Sequence, residues 1–221
     1  MHHRHTDSTN HRARALAVGG APHGTLVTAG AQSAGRGRQG RVWTAAPGSA
    51  LLMSLVLRGL DRRHAVLPLA AAVAVCKAVE ACAPVECRVK WPNDVWISGR
   101  KVAGILVEAN PHEGWAVLGI GLNVAEQEFP GELAESAIAL ALEGAIEPVL
   151  KEVLSALENQ LDSQPAETLS AWRERDALLG RNVRWEDGEG TAAGVDESGA
   201  LLVQTAAGEI GLSAGEVHLR A

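Results

Sequence analysis

The sequence predicts an α+β protein, in which a mixed or antiparallel sheet packs with helices and a small unit of short strands follows at the C-terminus. Four short strand patterns separated by turn residues lie between residues 88 and 123. Several longer segments have apolar residues at helical spacing. After Gly180 the sequence pattern changes to short apolar runs that are separated by Gly, Asp and Ser. We therefore expect a main domain over residues 1–176 and a small β domain over residues 177–221.

Composition and charge limit the classes of function. The chain has 221 residues, of which 47% are hydrophobic, and its formal net charge is −6. A negative net charge argues against a general nucleic-acid binder, because neutralising phosphates requires a basic surface. No apolar run reaches the roughly 18 residues that indicate a membrane span. The polar N-terminus does not resemble a signal peptide, so we expect a cytoplasmic protein without membrane contact.

The cysteines and the N-terminal histidines do not predict a metal site. The residues concerned are Cys76, Cys82 and Cys87, together with His2, His3, His5 and His11. The cysteines are odd in number and lack both a CxxC spacing and a following histidine at zinc-ligand spacing, which favours reduced thiols in or near a helix. The histidines lie at a terminus, where fraying or an artefact of the chain start is expected.

The first half of the chain alternates helical and extended patterns. Ser8-Thr9-Asn10 is a capping signal for a helix that runs to about Val18. Ala65–Cys82 is nearly all apolar and too long for a strand, and Pro68 in its first turn is tolerated by a helix. The predicted strands are Gly24–Ala29, Leu51–Leu57, Arg88–Trp91, Val95–Ile97, Val102–Ala109 and Trp115–Asn123. Turn signals between the last three predict an antiparallel meander.

The second half contains two helical patterns and then five short strands. Glu147–Leu161 has leucines and valines at helical spacing, and Pro165–Leu178 follows it. The short strands are Val183–Trp185, Thr191–Val195, Leu201–Gln204, Glu209–Leu212 and Val217–Leu219. They predict a small β-barrel or sandwich, which is large enough only for an accessory domain.

A loop over Ala31–Thr44 contains the segment Gly35–Arg41, in which glycine alternates with arginine. Glycine lets the backbone approach a ligand closely, and the guanidinium group offers planar donors to phosphate or carboxylate. The segment lacks the Lys-Ser/Thr pair of a P-loop. These features favour a mobile anion-binding flap. A solvated basic loop or an RNA-binding tract is the alternative, but neither explains the adjoining Trp43.

Two further motifs are weak by themselves. Lys90-Trp91-Pro92-Asn93-Asp94 follows a predicted strand, and a lysine at a strand end can point into a cleft. By composition alone, however, a surface lysine before a Pro-Asn-Asp turn is the favoured interpretation. Gly119-Ile120-Gly121 lacks the third glycine of a dinucleotide fingerprint, since that position is Val124.

Taken together and in order, these segments resemble the biotin protein ligase family, also called biotin–acetyl-CoA-carboxylase ligases. The matching pieces are Ser8-Thr9-Asn10, Gly24-Thr25 leading to Gln32, Gly35–Arg41 with Trp43, Lys90–Asp94, Gly99–Glu108, Gly119–Val124 and Gly215-Glu216-Val217. They cover most of the chain. Only the Gly/Arg loop combined with the lysine run is specific, and the presence of all pieces in order argues against chance.

The resemblance implies a class II synthetase-like catalytic domain and an SH3-like C-terminal β-barrel. It also implies a reaction in two steps. Biotin and MgATP give biotinyl-5′-AMP and pyrophosphate, and the adenylate then acylates one lysine of a biotin carboxyl carrier domain of acetyl-CoA or acyl-CoA carboxylase. The implied small molecules are therefore biotin, ATP and Mg²⁺. No protein nucleophile is needed, because the biotin carboxylate and the carrier lysine perform the attacks.

The resemblance also implies roles for individual residues. The biotin site would comprise Ser8, Thr9, Asn10, Gln32, Arg36, Gly37, Arg38 and Lys90. Lys90 and Arg38 would be catalytic, because fixed cations and Mg²⁺ reduce the repulsion between a carboxylate and an α-phosphate. Arg36–Arg38 would fold over the hydrolysable adenylate. Trp43 would pack against adenine, with Asn93 and Asn123 as weaker nucleotide-side residues.

The sequence departs from the family pattern in two places. Ser33 follows Gln32 where threonine is usual, and only the polar residues Met1–Asp7 stand where the family has a strand. Either that strand is poor or the chain begins downstream of the natural start. With no winged-helix domain, we expect neither repressor activity nor DNA binding, while monomer and homodimer both stay open. Two other functions stay open: a lipoate–protein ligase or lipoyl transferase, and a non-catalytic module whose loop merely binds an anion.

Overall fold

The protein is described here by a computed structural model that covers residues 1–219, apart from the side chains of residues 62 and 63. Seven strands form the main sheet: β1 (His2–His3), β2 (Leu26–Ala29), β3 (Ala50–Arg58), β4 (Cys87–Lys90), β5 (Asp94–Ile97), β6 (Arg100–Asn110) and β7 (Trp115–Asn123). Their spatial order is β1-β2-β3-β7-β6-β5-β4. Only β1 and β2 pair in parallel among these strands, so the predicted mixed sheet and its antiparallel meander are confirmed.

Helices cover the two faces of this sheet unequally. The helices are α1 (Thr9–Val18), α2 (Leu67–Cys82), α3 (Leu133–Ser136), α4 (Ile146–Leu161) and α5 (Pro165–Arg173). The main core joins the sheet to α2 and α4, and side chains from alternate positions of β3, such as Leu55 and Leu57, enter it. Val56 points to the opposite face and packs in a smaller cluster with Ala13 and Ala17 of α1. Because α1 is short, the rest of that second face is left for a cleft.

The segment that ends in helix α2 corrects one expectation from composition. The segment His64–Cys82 has 19 residues and a mean hydropathy of 1.8, so it has the length and composition of a membrane span, contrary to the prediction. However, 67% of that apolar window is buried inside the molecule. Its side chains pack between the sheet and α4, which accounts for the hydropathy as that of a core helix. Cys76 and Cys87 are buried free thiols at this interface, as predicted.

The N-terminus is also better ordered than expected. His2 and His3 pair with Thr28 and Ala29 at the edge of β2, so the prediction that these histidines fray is wrong. His2 Nδ1 also lies 2.9 Å from Thr28 Oγ1. Backbone pairing to a sheet edge does not require apolar side chains, which explains how a polar segment forms the strand that the family pattern calls for.

Five further strands form the C-terminal sheet: β8 (Asn182–Trp185), β9 (Gly188–Val195), β10 (Leu201–Thr205), β11 (Gly208–Leu212) and β12 (His218–Leu219). All five were predicted, and they pair antiparallel in the order β11-β10-β9-β8-β12. Val183, Leu201 and Val217 belong to the same core as α2. The Trp91 indole N–H also donates to the Gly199 carbonyl oxygen at 3.0 Å. The C-terminal sheet therefore packs directly against the strand end that carries Lys90.

Helix α5 ends earlier than predicted, at Arg173 rather than Leu178. The Val89 N–H donates to the Arg175 carbonyl at 2.7 Å, and the Ala177 N–H donates to the Val89 carbonyl at 2.9 Å. The chain leaves the helix because it pairs with the exposed edge of β4, a tertiary effect that helical spacing does not report. The short helix α3 was not predicted either.

Candidate active site

A cleft of about 590 Å³ lies on the face of the main sheet that α1 leaves uncovered. Every predicted site residue lines it: Ser8, Thr9, Asn10, Gln32, Arg36, Gly37, Arg38, Trp43, Lys90, Asn93 and Asn123. They come from α1, the Gly/Arg loop, the ends of β4 and β7, and the turn after β4. Segments more than a hundred residues apart in the chain therefore meet at one cleft, although this proximity does not itself assign their roles.

The first end of the cleft is built by the N-terminus of α1. Thr9 and Asn10 are buried there, and Ser8 occupies the cap position without a side-chain capping bond. The Thr9 N–H donates to Gln32 Oε1 at 2.7 Å. The buried Ser54 hydroxyl lies 2.8 Å from Thr9 Oγ1 and 2.7 Å from Asn10 Oδ1. Ser54 shares its one proton between Thr9 Oγ1 and Asn10 Oδ1, and the Thr9 hydroxyl donates in turn to Gln32 Oε1 at 3.1 Å, so the polar chain is satisfied.

Glu108 extends this chain to the Gly/Arg loop. Asn10 Nδ2 donates to Glu108 Oε2 at 3.0 Å, and Arg36 Nη1 lies 3.1 Å from Glu108 Oε1. One carboxylate thus connects a residue at the base of α1 with an arginine of the loop. The sequence prediction missed Glu108 as a site residue. The spacing along β6 could have indicated Glu108. It lies two residues from Leu106, so the two side chains point to the same, cleft-facing side of the strand.

Glycines form the floor of the cleft. Gly104 and Gly121 are directly paired on β6 and β7, and the Trp43 indole lies across them. A Cβ atom on Gly121 would lie 2.5 Å from Trp43 Cε2, and one on Gly119 would lie 1.9 Å from Asn10 Oδ1. Side chains at these positions would displace both residues. The glycine pattern of β7, which did not fit a dinucleotide site, is therefore explained by close approach of other side chains.

The Gly/Arg loop is a short hairpin rather than an extended tract. An isolated bridge joins Arg36 to Val42, and the Gly37 N–H donates to the Arg41 carbonyl at 2.8 Å. A Cβ atom on Gly35 would lie 2.2 Å from the Trp43 carbonyl oxygen, so this position requires glycine. These contacts and the half-buried indole of Trp43 argue against the alternative of a solvated basic tract.

The C-terminal sheet contributes to the cleft as well. Arg41 of the loop forms an ion pair with Glu216, and both Glu216 and His218 line the cleft. Burial lowers the pKa of His218, and the nearby positive charges of Lys90 and Arg41 lower it further. In the sequence, Glu216 is recognisable only as part of the matching segment Gly215–Val217, and no motif indicates a role for His218.

Two cations in the cleft have no acidic hydrogen-bond partner among the described residues, Lys90 and Arg38. Burial lowers the pKa of Lys90, and the negative charge of Asp94 opposes that effect. The Lys90 ammonium lies 5.4 Å from the centroid of the Trp96 ring. Burial also lowers the pKa of Arg38, again opposed by Asp94. Lys90 is therefore a partly buried cleft residue, and the interpretation of a surface lysine before a turn is wrong.

The neighbouring polar residues are held by protein contacts. Lys101 Nζ lies 2.7 Å from Asp94 Oδ1 and 5.6 Å from the centroid of the Trp43 ring. Asn93 Nδ2 donates to the Ile105 carbonyl at 2.6 Å. Asn123 Nδ2 donates to the Ile138 carbonyl at 3.1 Å, which fastens the segment after α3 beside the cleft. Among residues 1–219, no group of three or more His, Cys, Asp or Glu side chains could hold a metal ion.

Comparison with known proteins agrees with this geometry. A family profile described as the Biotin/lipoate A/B protein ligase family matches residues 3–124, and one described as the Biotin protein ligase C terminal domain matches residues 178–220. The biotin–acetyl-CoA-carboxylase ligase of Paracoccus denitrificans is 36% identical over 234 residues, covering 96% of this chain and 97% of the relative. The corresponding ligase of Mycobacterium tuberculosis is 36% identical over 236 residues, covering 97% and 87%.

A solved structure is similar over the whole length of the chain. The biotin protein ligase from Aquifex aeolicus in complex with biotin and ATP has a TM-score of 0.87 and 28% identity, and the match covers 100% of this chain and 97% of that one. The first family profile spans more than half of the chain, and the relatives match almost all of it. The chain therefore belongs to the biotin protein ligase family.

Proposed function

We propose that this protein activates biotin with ATP to biotinyl-5′-AMP and transfers the biotinyl group to one lysine of a biotin carboxyl carrier domain. The observation that carries the proposal is the polarity of the cleft. Neutral hydrogen-bonding groups lie at the α1 end, and the unpaired cations Lys90 and Arg38 lie among the other lining residues. The Paracoccus relative is named for the same activity, and the Aquifex neighbour was solved with biotin and ATP.

The α1 end suits the biotin bicycle. Within the described residues, the Ser8 hydroxyl and the Gln32 amide nitrogen take part in no hydrogen bond, while Thr9 and Asn10 are already committed to Ser54 and Glu108. Free polar groups in a partly apolar pocket are what a ureido ring needs for orientation. We infer that Ser8 and Gln32 contact the ligand directly, whereas Thr9 and Asn10 hold the pocket in shape.

The cationic part of the cleft suits adenylation. A biotin carboxylate must approach the α-phosphate of ATP, so two anions meet and negative charge builds up on the phosphate. Lys90 and Arg38 would stabilise that charge, and losing one such contact typically costs about 10²–10³ in rate. Because these cations have no acidic hydrogen-bond partner in the described structure, binding the substrates breaks no existing ion pair at either one.

Nucleotide binding is proposed on the glycine floor. The flat indole of Trp43 lies on Gly104 and Gly121, and its other face would stack on adenine. Asn123 and Asn93 line the same cleft, but each already donates to a backbone carbonyl, so they would contribute less. The carboxylates lining the cleft do not form a cage for Mg²⁺, which would instead be held mainly by the ATP phosphates and water.

The Gly/Arg loop would cover the adenylate and shield it from water. Its Arg41 meets Glu216, which lies in the segment between β11 and β12 of the C-terminal unit. We propose that residues 1–176 form a catalytic domain of the class II synthetase type and that residues 177–221 form an SH3-like barrel, which supports the loop through this ion pair. We further propose that the protein acts in the cytoplasm on the carrier domain of an acyl-CoA carboxylase.

The test is to incubate the protein with biotin, MgATP and a purified carrier domain, and to measure the intact mass of the carrier. We expect a mass gain of one biotinyl group, no gain without ATP, and no gain on a carrier whose acceptor lysine is replaced by arginine. A parallel reaction with lipoate in place of biotin tests the main alternative. Modification by lipoate alone, or no modification in either reaction, would contradict the proposal.

A further inference from the structure

Glu108 lies at the border between the part of the main sheet that α1 covers and the cleft. It is paired with Val117 on β7, and Val117 packs in the small core cluster under α1. Four residues separate Glu108 from the cleft-lining Gly104, so both positions lie on one face of β6. β5 pairs with β6 through one bulge, between Val95 and Trp96, and reaches only as far as Gly104. Glu108 therefore stands beyond the end of β5, with α1 on one side and the cleft on the other.

The first contact of Glu108 fixes the amide group of Asn10. Asn10 is only 4% exposed. Its Nδ2 donates to Glu108 Oε2 at 3.0 Å, and its Oδ1 accepts from the Ser54 hydroxyl at 2.7 Å. Because a carboxylate can only accept hydrogen bonds, the amide nitrogen must face Glu108 and the amide oxygen must face Ser54. Removal of the carboxylate would leave this buried N–H without its acceptor, which is unfavourable.

The second contact of Glu108 holds the Gly/Arg loop. Arg36 Nη1 lies 3.1 Å from Glu108 Oε1 and 3.4 Å from Glu108 Oε2. The side chain of Glu108 is 20% exposed and that of Arg36 is 44% exposed, so solvent screens the pair only in part. Arg36 is also where the hairpin begins, because it forms the bridge with Val42. Arg38 has no hydrogen-bonded carboxylate in the described structure, so the loop has one anchored arginine and one that is available to an anion.

We propose that Glu108 is a positioning residue, which orients the Asn10 amide at the biotin end and, with the same carboxylate, holds Arg36 so that the loop stays closed over the adenylate. The inference rests on the proposed function. Glu108 itself is not among the described residues that line the cleft, so it acts through these two side chains rather than on the substrates. The contact with Asn10 would affect biotin affinity, whereas the charged contact with Arg36 would affect retention of the adenylate.

The test measures the dissociation rate of preformed biotinyl-AMP and, by calorimetry, the affinity for biotin. Glu108→Gln can still accept from Asn10 but offers no negative charge to Arg36. We expect this variant to release biotinyl-AMP about threefold to fivefold faster than the wild type and to change biotin affinity by less than about twofold. Glu108→Ala removes both contacts, so it should also bind biotin about 10-fold more weakly.

A double-mutant cycle separates this role from a general effect on the fold. In an Arg36→Ala background, Glu108→Gln should change the release rate by less than about 1.5-fold, because the charge that it removes has no partner left. Glu158→Gln, on the exposed face of α4, is the matched control and should leave release and biotin affinity unchanged. Thermal unfolding of each variant reports loss of fold, and the isosteric Glu108→Gln decides the question if Glu108→Ala does not fold.

Three results would overturn the positioning role. They are release from Glu108→Gln at the wild-type rate, an equal acceleration in the wild-type and Arg36→Ala backgrounds, and an equal loss of biotin affinity in Glu108→Gln and Glu108→Ala. Failure of the proposed function would look different. A wild-type protein that binds biotinyl-AMP but does not form it from biotin and MgATP would contradict the proposed function alone, because the release measurements still decide the role of Glu108. A wild-type protein that does not bind biotinyl-AMP would overturn both.

Discussion

Lys90 shows how much a single residue in this cleft depends on its surroundings. A lysine that is partly removed from water without an acidic partner is unfavourable for stability, because burial penalises its charged form. Such a group is a common mark of a functional site, since the binding of an anion would relieve the penalty. The same reasoning applies to Arg38, whose pKa is also lowered by burial.

The first prediction concerns removal of this charge. We expect Lys90→Ala to abolish biotin-dependent ATP–pyrophosphate exchange, with a loss of at least about 10²-fold, because the cation proposed to meet both reacting anions is gone. The variant should fold, since the side chain makes no hydrogen bond to the described residues. Exchange and circular dichroism measured on the same preparation test both statements. A variant that exchanges at the wild-type rate rules out the proposed mechanism.

The second prediction concerns pH. Lys90 is charged below its pKa, and burial brings that pKa below the ordinary value of 10.5. As the pH rises, the ammonium is therefore lost earlier than that of an exposed lysine, and kcat for adenylation should fall with a midpoint below 10.5. An arginine at this position stays charged throughout. The residual exchange of Lys90→Arg should consequently lack this fall; an identical fall in both proteins would assign it to another group.

At the scale of elements, strand β7 determines which side chains can enter the cleft. It pairs along its full length with β3 and from Trp115 to Leu122 with β6, and its glycines at positions 119 and 121 face the cleft. Gly119 accommodates Asn10 and Gly121 accommodates Trp43, so two glycines separated by one residue serve two different ends of the site. One strand thus provides space for both the α1 end and the proposed nucleotide end.

The third prediction separates these two ends. Overpacking of a close contact costs about 1–3 kcal/mol, which corresponds to roughly 10-fold or more in affinity. We expect Gly119→Ala to weaken biotin binding and Gly121→Ala to weaken ATP binding, as measured by calorimetry. Gly211→Ala is the matched control, because a Cβ there meets no atom within 4 Å. If both variants lost the same affinity for biotin and for ATP, the assignment of Gly119 to the biotin end and of Gly121 to the nucleotide end would be wrong.

The fourth prediction concerns the hairpin of the Gly/Arg loop. Arg38 has no hydrogen-bond or ion-pair partner within the described residues, so its guanidinium is available to an anion below the loop. We expect Arg38→Gly to release biotinyl-AMP at least about 10-fold faster, because a charge-assisted contact contributes about 1.5–3 kcal/mol. Arg38→Lys should lie between this variant and the wild type. Release no faster than from the wild type contradicts a shielding role.

At the scale of the whole molecule, the C-terminal sheet and the main sheet share one core and one cleft. The Trp91–Gly199 hydrogen bond joins the sheets beside Lys90, and the Arg41–Glu216 ion pair joins them above the cleft. A third contact, from Arg173 to the Val195 carbonyl at 2.9 Å, ties α5 to β9. The small C-terminal unit is therefore fastened to the main domain by several contacts, and it lines the cleft with Glu216 and His218.

The fifth prediction tests whether the C-terminal sheet supports the loop. Arg41 is 54% exposed and Glu216 is 23% exposed, so we expect the pair to contribute at most about 1 kcal/mol. Glu216→Gln should therefore leave thermal stability nearly unchanged but speed up release of biotinyl-AMP by up to about fivefold. Glu209→Gln, at an exposed position of β11, is the control. Unchanged adenylate release would indicate that the ion pair does not hold the loop closed.

The local pattern of the chain determined most of the elements. Turn residues between short apolar runs predicted the meander and all five C-terminal strands, and the length of an apolar run predicted the core helix α2. Helical spacing predicted α4, because a helix places its apolar side chains on one face. The ordered motifs predicted the family, and the residues drawn from them line one cleft. Where tertiary pairing competes with local preference, as at the end of α5 and at His2–His3, prediction from spacing was wrong.

The partners of the charged side chains were decided only by tertiary structure. Nothing near Lys90 in the sequence indicates that Asp94 is held by Lys101, or that Glu108 joins Asn10 to Arg36. Spacing within an element shows which face a side chain takes, whereas strand register and a single bulge decide which distant side chain it meets. That physical difference explains why the sequence alone predicts a surface lysine at position 90. In the folded protein, Lys90 is partly buried in the cleft and has no acidic hydrogen-bond partner among the described residues.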